Sequence, residues 1–152
     1  MDVLFFINRS KKGCIVVNVI LLEGEEIIKE GKCFIYNLLN KKPGKLILTD
    51  RRLIFASPGL DFDRDNLTFN LRDIVELEGF ITFILAKPIP LKNGLKIATT
   101  NGKSYKFIVS DKEAWMKALQ SRINNSENEK HPHIFFKGSK LIPKNFKLNR
   151  NK

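Results

Sequence analysis

Gly44-Lys45-Leu46-Ile47-Leu48-Thr49-Asp50-Arg51-Arg52-Leu53-Ile54-Phe55 is the stretch that decides the fold. Lys45 to Thr49 is a short apolar run with a polar stop, and Arg52 to Ala56 is a second run. Asp50-Arg51 between them is too short for anything but a tight turn, so the two runs read as an antiparallel hairpin. Ser57-Pro58-Gly59 ends the second run, because proline removes a ladder donor and glycine permits positive φ.

Strand signals continue outward on both sides. Glu26 to Tyr36 carries Ile27, Ile28, Cys33, Phe34 and Ile35. Asp61 to Asn66 is a polar loop, and Leu67 to Leu71 alternates as a half-buried strand does. Ile74 to Leu85 is a further apolar segment in which Gly79 predicts a bulge or bend. Lys87-Pro88-Ile89-Pro90 is excluded from a central strand, since its two prolines lack donors. Gly94–Thr99 and Ser104–Val109 flank Thr100-Asn101-Gly102-Lys103, and Asn-Gly is a strong hairpin signal.

The period then changes. Ser110 or Asp111 can cap a helix running to about Asn124, with Glu113 in its first turn. Trp115, Leu119 and Ile123 share one face of it. A strand series followed by one amphipathic helix predicts an all-β barrel of antiparallel strands closed by a C-terminal α-helix. Trp115 and Leu119 are expected to bury against Leu46, Leu48, Leu53, Phe55, Ile97 and Phe107.

The chain's 152 residues suit one domain with tails. The net charge of +11 is uneven. Residues 1–22 hold three basic groups and one acid, residues 23–124 seventeen and thirteen, and residues 125–152 seven and two. A basic balance favours anionic partners, and a solubility role is the plainer alternative. Cys14 and Cys33 form neither a zinc spacing nor a disulfide framework, which fits a reducing cytosol and two small buried residues. The apolar runs Val3–Ile7 and Cys14–Leu22 fall short of the ~20 residues of a spanning helix. Lys11-Lys12 precede the second run as in a signal peptide, but Glu23-Gly24-Glu25-Glu26 follows it instead of a small-residue cleavage site. The expectation is a cytoplasmic, uncleaved chain that can lie peripherally at a membrane. In residues 125–152 the apolar islands Ile134-Phe135-Phe136 and Leu141-Ile142 predict at most a strand or turn.

Catalytic signals are weak. His131 and His133 could form a metal pair on a strand, but two exposed imidazoles are the plainer reading. Asp61-Phe62-Asp63-Arg64-Asp65 begins like a calcium loop, then has Asn66 where Gly is needed and Arg72 where Glu is needed. Neither a nucleophile elbow nor a phosphate-cradling glycine loop occurs in the sequence. The reading is therefore non-enzymatic, with no cofactor and no metal.

Leu22-Glu23-Gly24-Glu25, the stretch from Gly44 to Phe55, Asn70-Leu71-Arg72-Asp73-Ile74, Leu95–Thr99, Tyr105-Lys106-Phe107 and Trp115 occur in an order that resembles the GRAM and bacterial PH-like domains. The resemblance covers residues 22–124, leaving an apolar and basic extension at 1–21 and a basic tail at 125–152. It implies two near-orthogonal antiparallel sheets of about seven strands capped by the helix. Function is not implied by fold, since such domains bind lipid, bind protein or are structural.

In PH domains that bind inositol phosphates, basic residues of the first strand pair and its loop hold the phosphates. The resemblance thus points to Lys41, Lys42 and Lys45 in a loop between the first two strands, with Arg51 at the next turn. Leu38 and Leu39, just before them, are membrane-insertion candidates. The tighter Lys and Arg spacing of those binders is missing here, and Arg51-Arg52 also belong to the fold pattern. The first function expected is association with anionic phospholipid or a membrane surface, phosphoinositide included, through the basic loop and tail. The alternative is a protein-interaction module taking a peptide at a sheet edge or groove. Nucleic acid is disfavoured: its basic and aromatic pattern occurs only loosely, in Phe135, Phe136, Lys137, Lys140, Lys144, Phe146 and Lys147.

Overall fold

From the turn around Gly24 the chain runs through seven antiparallel strands. The computed structural model describes residues 17, 19–37, 40–58, 66–84, 87–127, 134–137 and 140–143. The strands are β1 (Ile27–Asn37), β2 (Asn40–Thr49), β3 (Arg52–Ala56), β4 (Leu67–Asn70), β5 (Ile74–Ile84), β6 (Lys87–Thr99) and β7 (Ser104–Val109). A 3-10 turn at Leu71–Asp73 joins β4 to β5. The helix α1 spans Lys112–Glu127, and Asp111 caps it by accepting the Ala114 N–H at 3.1 Å. A separate antiparallel pair, β8 (Ile134–Lys137) and β9 (Lys140–Pro143), falls on the two apolar islands of the tail.

The ladder is continuous, in the order β4-β3-β2-β1-β7-β6-β5, where the resemblance implied two sheets. The hairpin read from the sequence is present, with Lys45 opposite Ala56 and Leu48 opposite Leu53. Asn101-Gly102 turns β6 into β7, and Gly102 takes φ +80°, a conformation open to glycine at no steric cost.

Two segments differ from expectation for a shared reason. Asn40 to Lys45 is strand β2 and not a loop: Asn40 pairs with Asn37, Lys41 with Tyr36 and Lys45 with Lys32. Lys87 to Pro90 is likewise strand, paired with β5. In both places a long two-stranded ribbon runs past the end of a third strand. β3 reaches β2 only as far as Lys45, and β7 reaches β6 only from Gly94 to Ala98. A residue paired on one side alone has no ladder partner on the other, so Pro43, Pro88 and Pro90 are tolerated there. The Pro segment, excluded from a central strand by its sequence, is thus the one-sided end of β6, an interior strand of the sheet. Gly79, expected at a bulge or bend, pairs regularly with Leu95, and the register shifts of this pair fall between Ile74 and Glu76, Phe80 and Thr82, and Phe83 and Ile84.

Leu46, Leu48, Leu53, Phe55, Ile97 and Phe107 form one core with Trp115, Leu119 and Ile123 of α1. The sheet curls round it, so Phe69 of β4 meets Tyr105 of β7 edge-on at 4.7 Å. Gly44 has to be glycine: a Cβ there would stand 2.4 Å from the Phe55 ring. On the other side of β2 and β3, Val17, Val19 and Leu21 cover Ile47, Ile54 and Ala56.

Candidate functional site

Strict alternation along β1 sends Cys33 into the core and Lys32, Phe34 and Tyr36 outward. The register extends these outward positions into rows across the sheet. One row is Pro43, Phe34, Ile108, Gly94 and Phe80, on β2, β1, β7, β6 and β5. The next, about 7 Å along the strands, is Lys41, Tyr36, Lys106, Lys96 and Glu78. On the other side of the apolar row, Lys32 stands opposite Lys45. An apolar strip is therefore bordered by lysines on both sides. Phe34 in that strip is 45% exposed, large for a Phe on a folded surface.

The lysines differ in what holds them. Lys45 Nζ lies 2.9 Å from Glu30 Oε2, and Lys96 Nζ lies 3.4 Å from Glu76 and from Glu78. Those two are paired within the fold. Lys41 Nζ sits 5.9 Å from the Tyr36 ring centroid and Lys106 Nζ 5.6 Å from that of Phe80, with the two rings 6.3 Å apart. These cation–π contacts hold each ammonium over its ring without neutralising it. Lys42 is exposed on the opposite face of β2, across from Ile35. Leu38 and Leu39 lie outside the described residues, as do Cys14, the Asp61–Asp65 segment, His131 and His133.

The other end of β2 is built differently. Arg52 Nε donates to Glu25 Oε1 at 2.7 Å, and its terminal nitrogen donates to Glu25 Oε2 at 2.8 Å and to the Ile20 carbonyl at 2.7 Å. The Thr49 hydroxyl donates to Glu25 at 2.7 Å, and the Leu22 N–H donates to it at 2.8 Å. Burial alone would raise the Glu25 pKa. The Arg52, Leu22 and Thr49 hydrogen bonds and the Arg52 charge together outweigh burial and hold it below its ordinary value. Arg52 is thus a structural residue that ties the segment before β1 to the β2–β3 turn. Glu25 and Arg52 were each legible as part of the family pattern; their pairing was not.

Arg51 belongs to neither group. It sits at the β2–β3 turn, roughly 30 Å of strand away from Lys41. It lines a recess of about 700 Å³ with Arg72, Arg122, Asp50, Asp73 and Asn125. The structure therefore does not bring Arg51 together with Lys41, Lys42 and Lys45. Arg72 and Arg122 had no sequence signal, since only the fold makes them neighbours.

Burial pushes the Cys33 thiol up to about 12, so it is protonated and unreactive. Among the described residues no group of three His, Cys, Asp or Glu could hold a metal, and no helix is long and apolar enough to cross a membrane.

Solved structures share this architecture. The chain is similar to the C-terminal domain of an unknown protein from Leishmania infantum, with a TM-score of 0.55 and 16% identity over 67% of this chain and 87% of that one. It is similar to the Vps36 N-terminal PH domain, with a TM-score of 0.54 and 18% identity over 72% of this chain and 86% of that one. No family model matches the chain, and no curated protein matches it. At such identities the likeness is one of fold, and the fold is PH-like: seven antiparallel strands and one C-terminal helix.

Proposed function

We propose that this chain is a non-catalytic PH-like binding module of the GRAM type that associates peripherally with anionic phospholipid at a cytoplasmic membrane face. The outer face of β1, β2 and β7 would make the contact, with Leu38 and Leu39, which come between β1 and β2 in the sequence, as its inserting residues. The GRAM assignment rests on the stretch from Gly44 to Phe55. The observation that carries the function is the apolar row holding exposed Phe34, bordered by Lys32 on one side and by Lys41 and Lys106 on the other. Apolar groups at the acyl boundary and ammonium groups at the headgroups are what an acidic membrane surface attracts. Lys45 contributes less than its sequence position suggested, because Glu30 already neutralises it. Phosphoinositide is the finer candidate among the anionic lipids, and the basic tail adds attraction.

The test is co-sedimentation of the full chain with phosphatidylcholine vesicles containing increasing phosphatidylserine. Each basic group near such a surface contributes about 1 kcal/mol, so Lys32→Glu, Lys41→Glu and Lys106→Glu together should weaken partitioning by roughly a hundredfold or more. Equal binding by that variant, or no binding by the unaltered chain, rejects the reading. A second reading, peptide binding at a sheet edge, is supported by Val75 and Ile81, both exposed on the edge strand β5. It would then take first place.

A further inference from the structure

Among the described residues the large sheet ends in two edge strands, β4 and β5. They offer a foreign strand very different surfaces. β4 has four residues and passes directly into the 3-10 turn, so there is little of it to pair with. β5 has eleven residues, most of them apolar, and its stretch from Glu76 to Phe80 is regular in register. Val75 and Ile81 are exposed on it. A long apolar edge of this kind invites a second chain to extend the sheet.

Part of the chain already lies there. After α1 the tail forms the hairpin β8–β9, and β9 lies against β5 while the two sheets stay separate. Pro143, the last residue of β9, brings no N–H, which suits a cover and not a further ladder. β9 has four residues against the eleven of β5, so the cover is partial and Val75 and Ile81 stay exposed. Charge favours the contact. β5 carries Glu76 and Glu78 and no basic residue, whereas β8 and β9 carry Lys137 and Lys140 and no acid. Glu76 and Glu78 share the Lys96 ammonium, each at 3.4 Å, longer than a charge-assisted hydrogen bond.

We propose that the tail hairpin β8–β9 is an intramolecular cover of the β5 edge, drawn there by charge opposite to that of Glu76 and Glu78, and that it keeps this edge from pairing with β5 of a second copy. The cover acts by position. A strand adding to β5 needs a free run of edge, and a hairpin lying on part of it interrupts the ladder. The inference goes beyond the membrane reading and does not rest on it. A peptide taking the same edge would first have to displace the hairpin.

The experiment uses the full chain. A nitroxide at Ser139→Cys, in a Cys14→Ser background, should broaden the amide signals of β5 and spare those of β4; the buried, protonated Cys33 does not take the label. Uniform broadening, or none at β5, overturns the proposal. Lys137 and Lys140 stand opposite each other in the hairpin, so Lys137→Glu with Lys140→Glu keeps like charges paired there and reverses only the charge presented to the surroundings. That variant should speed amide exchange along β5 about tenfold, with the β1–β2 ladder unaltered. Unchanged exchange at β5 overturns the proposal. Phe135 and Ile142 also stand opposite each other, and Phe135→Asp with Ile142→Asp should unmake the hairpin. Sedimentation should then show self-association at least about tenfold stronger than in the unaltered chain, and adding Val75→Lys with Ile81→Lys should abolish the rise. No rise, or a rise that the two edge lysines leave in place, overturns the proposal.

Discussion

At one end of β2 the Arg52 guanidinium reaches both oxygens of Glu25, whose side chain is fully buried. At the other end the Lys41 ammonium rests on the Tyr36 ring in contact with solvent. Both are cations on or beside the same hairpin, and their environments assign them opposite roles. A cation that has lost its water must be matched by an anion and by hydrogen bonds, and it then specifies structure. A cation that keeps its water costs the fold nothing and remains available to a partner. Charge count in the sequence does not separate the two; burial does.

Four substitutions or titrations sharpen that contrast. Trp115 is buried in the main core, so Trp115→Ala should lower stability by about 3–5 kcal/mol in urea denaturation. An unchanged midpoint would mean that α1 does not hold the core together. Arg52→Ala leaves the buried Glu25 carboxylate without its partner and should cost about 3 kcal/mol. It should also loosen residues 17–21, since the tie to the Ile20 carbonyl is lost; faster amide exchange around Leu21 and Ile47 checks this.

The acid limb should carry the Glu25 signature. Its folded pKa is lowered, so its contribution is complete above the ordinary value of 4.5 and is lost as pH falls through the lowered value. Denaturation midpoints measured down that range should fall more steeply for the unaltered chain than for Glu25→Gln. Parallel slopes would remove the carboxylate from the account. At the small end, Lys41→Ala with Lys106→Ala should change stability by no more than about 0.5 kcal/mol. A larger loss would move these lysines from the partner-facing class to the structural one.

The hairpin of Lys45–Ala56, the Asn101-Gly102 turn and the helix were legible because each rests on a local rule of turn chemistry or period. Asn40 to Lys45 was read as loop because the resemblance places a loop between the first two strands. The ribbon beyond β3 tolerates the proline, and the Phe55 ring requires the glycine. The two-row pattern on the outer face depends on registers among five strands, which no single run encodes. Arg51 was grouped with the lysines by nearness in sequence, and the length of β2 separates them. The partners of Arg51 in the recess lie at Arg72 and Arg122, and only tertiary structure places them there.

The central claim, that the outer β1–β2–β7 face meets the membrane while the β2–β3 end does not, is tested most directly by fluorescence depth. Phe34 and Leu22 are both exposed, and they stand at the two regions being compared. Phe34→Trp and Leu22→Trp, each in the full chain, are mixed with anionic vesicles containing brominated lipid, and the unaltered chain supplies the signal of buried Trp115. The account predicts strong quenching and a blue shift of the added fluorescence for Phe34→Trp, both fading with salt, and neither for Leu22→Trp. Quenching at position 22 with none at position 34 would contradict it.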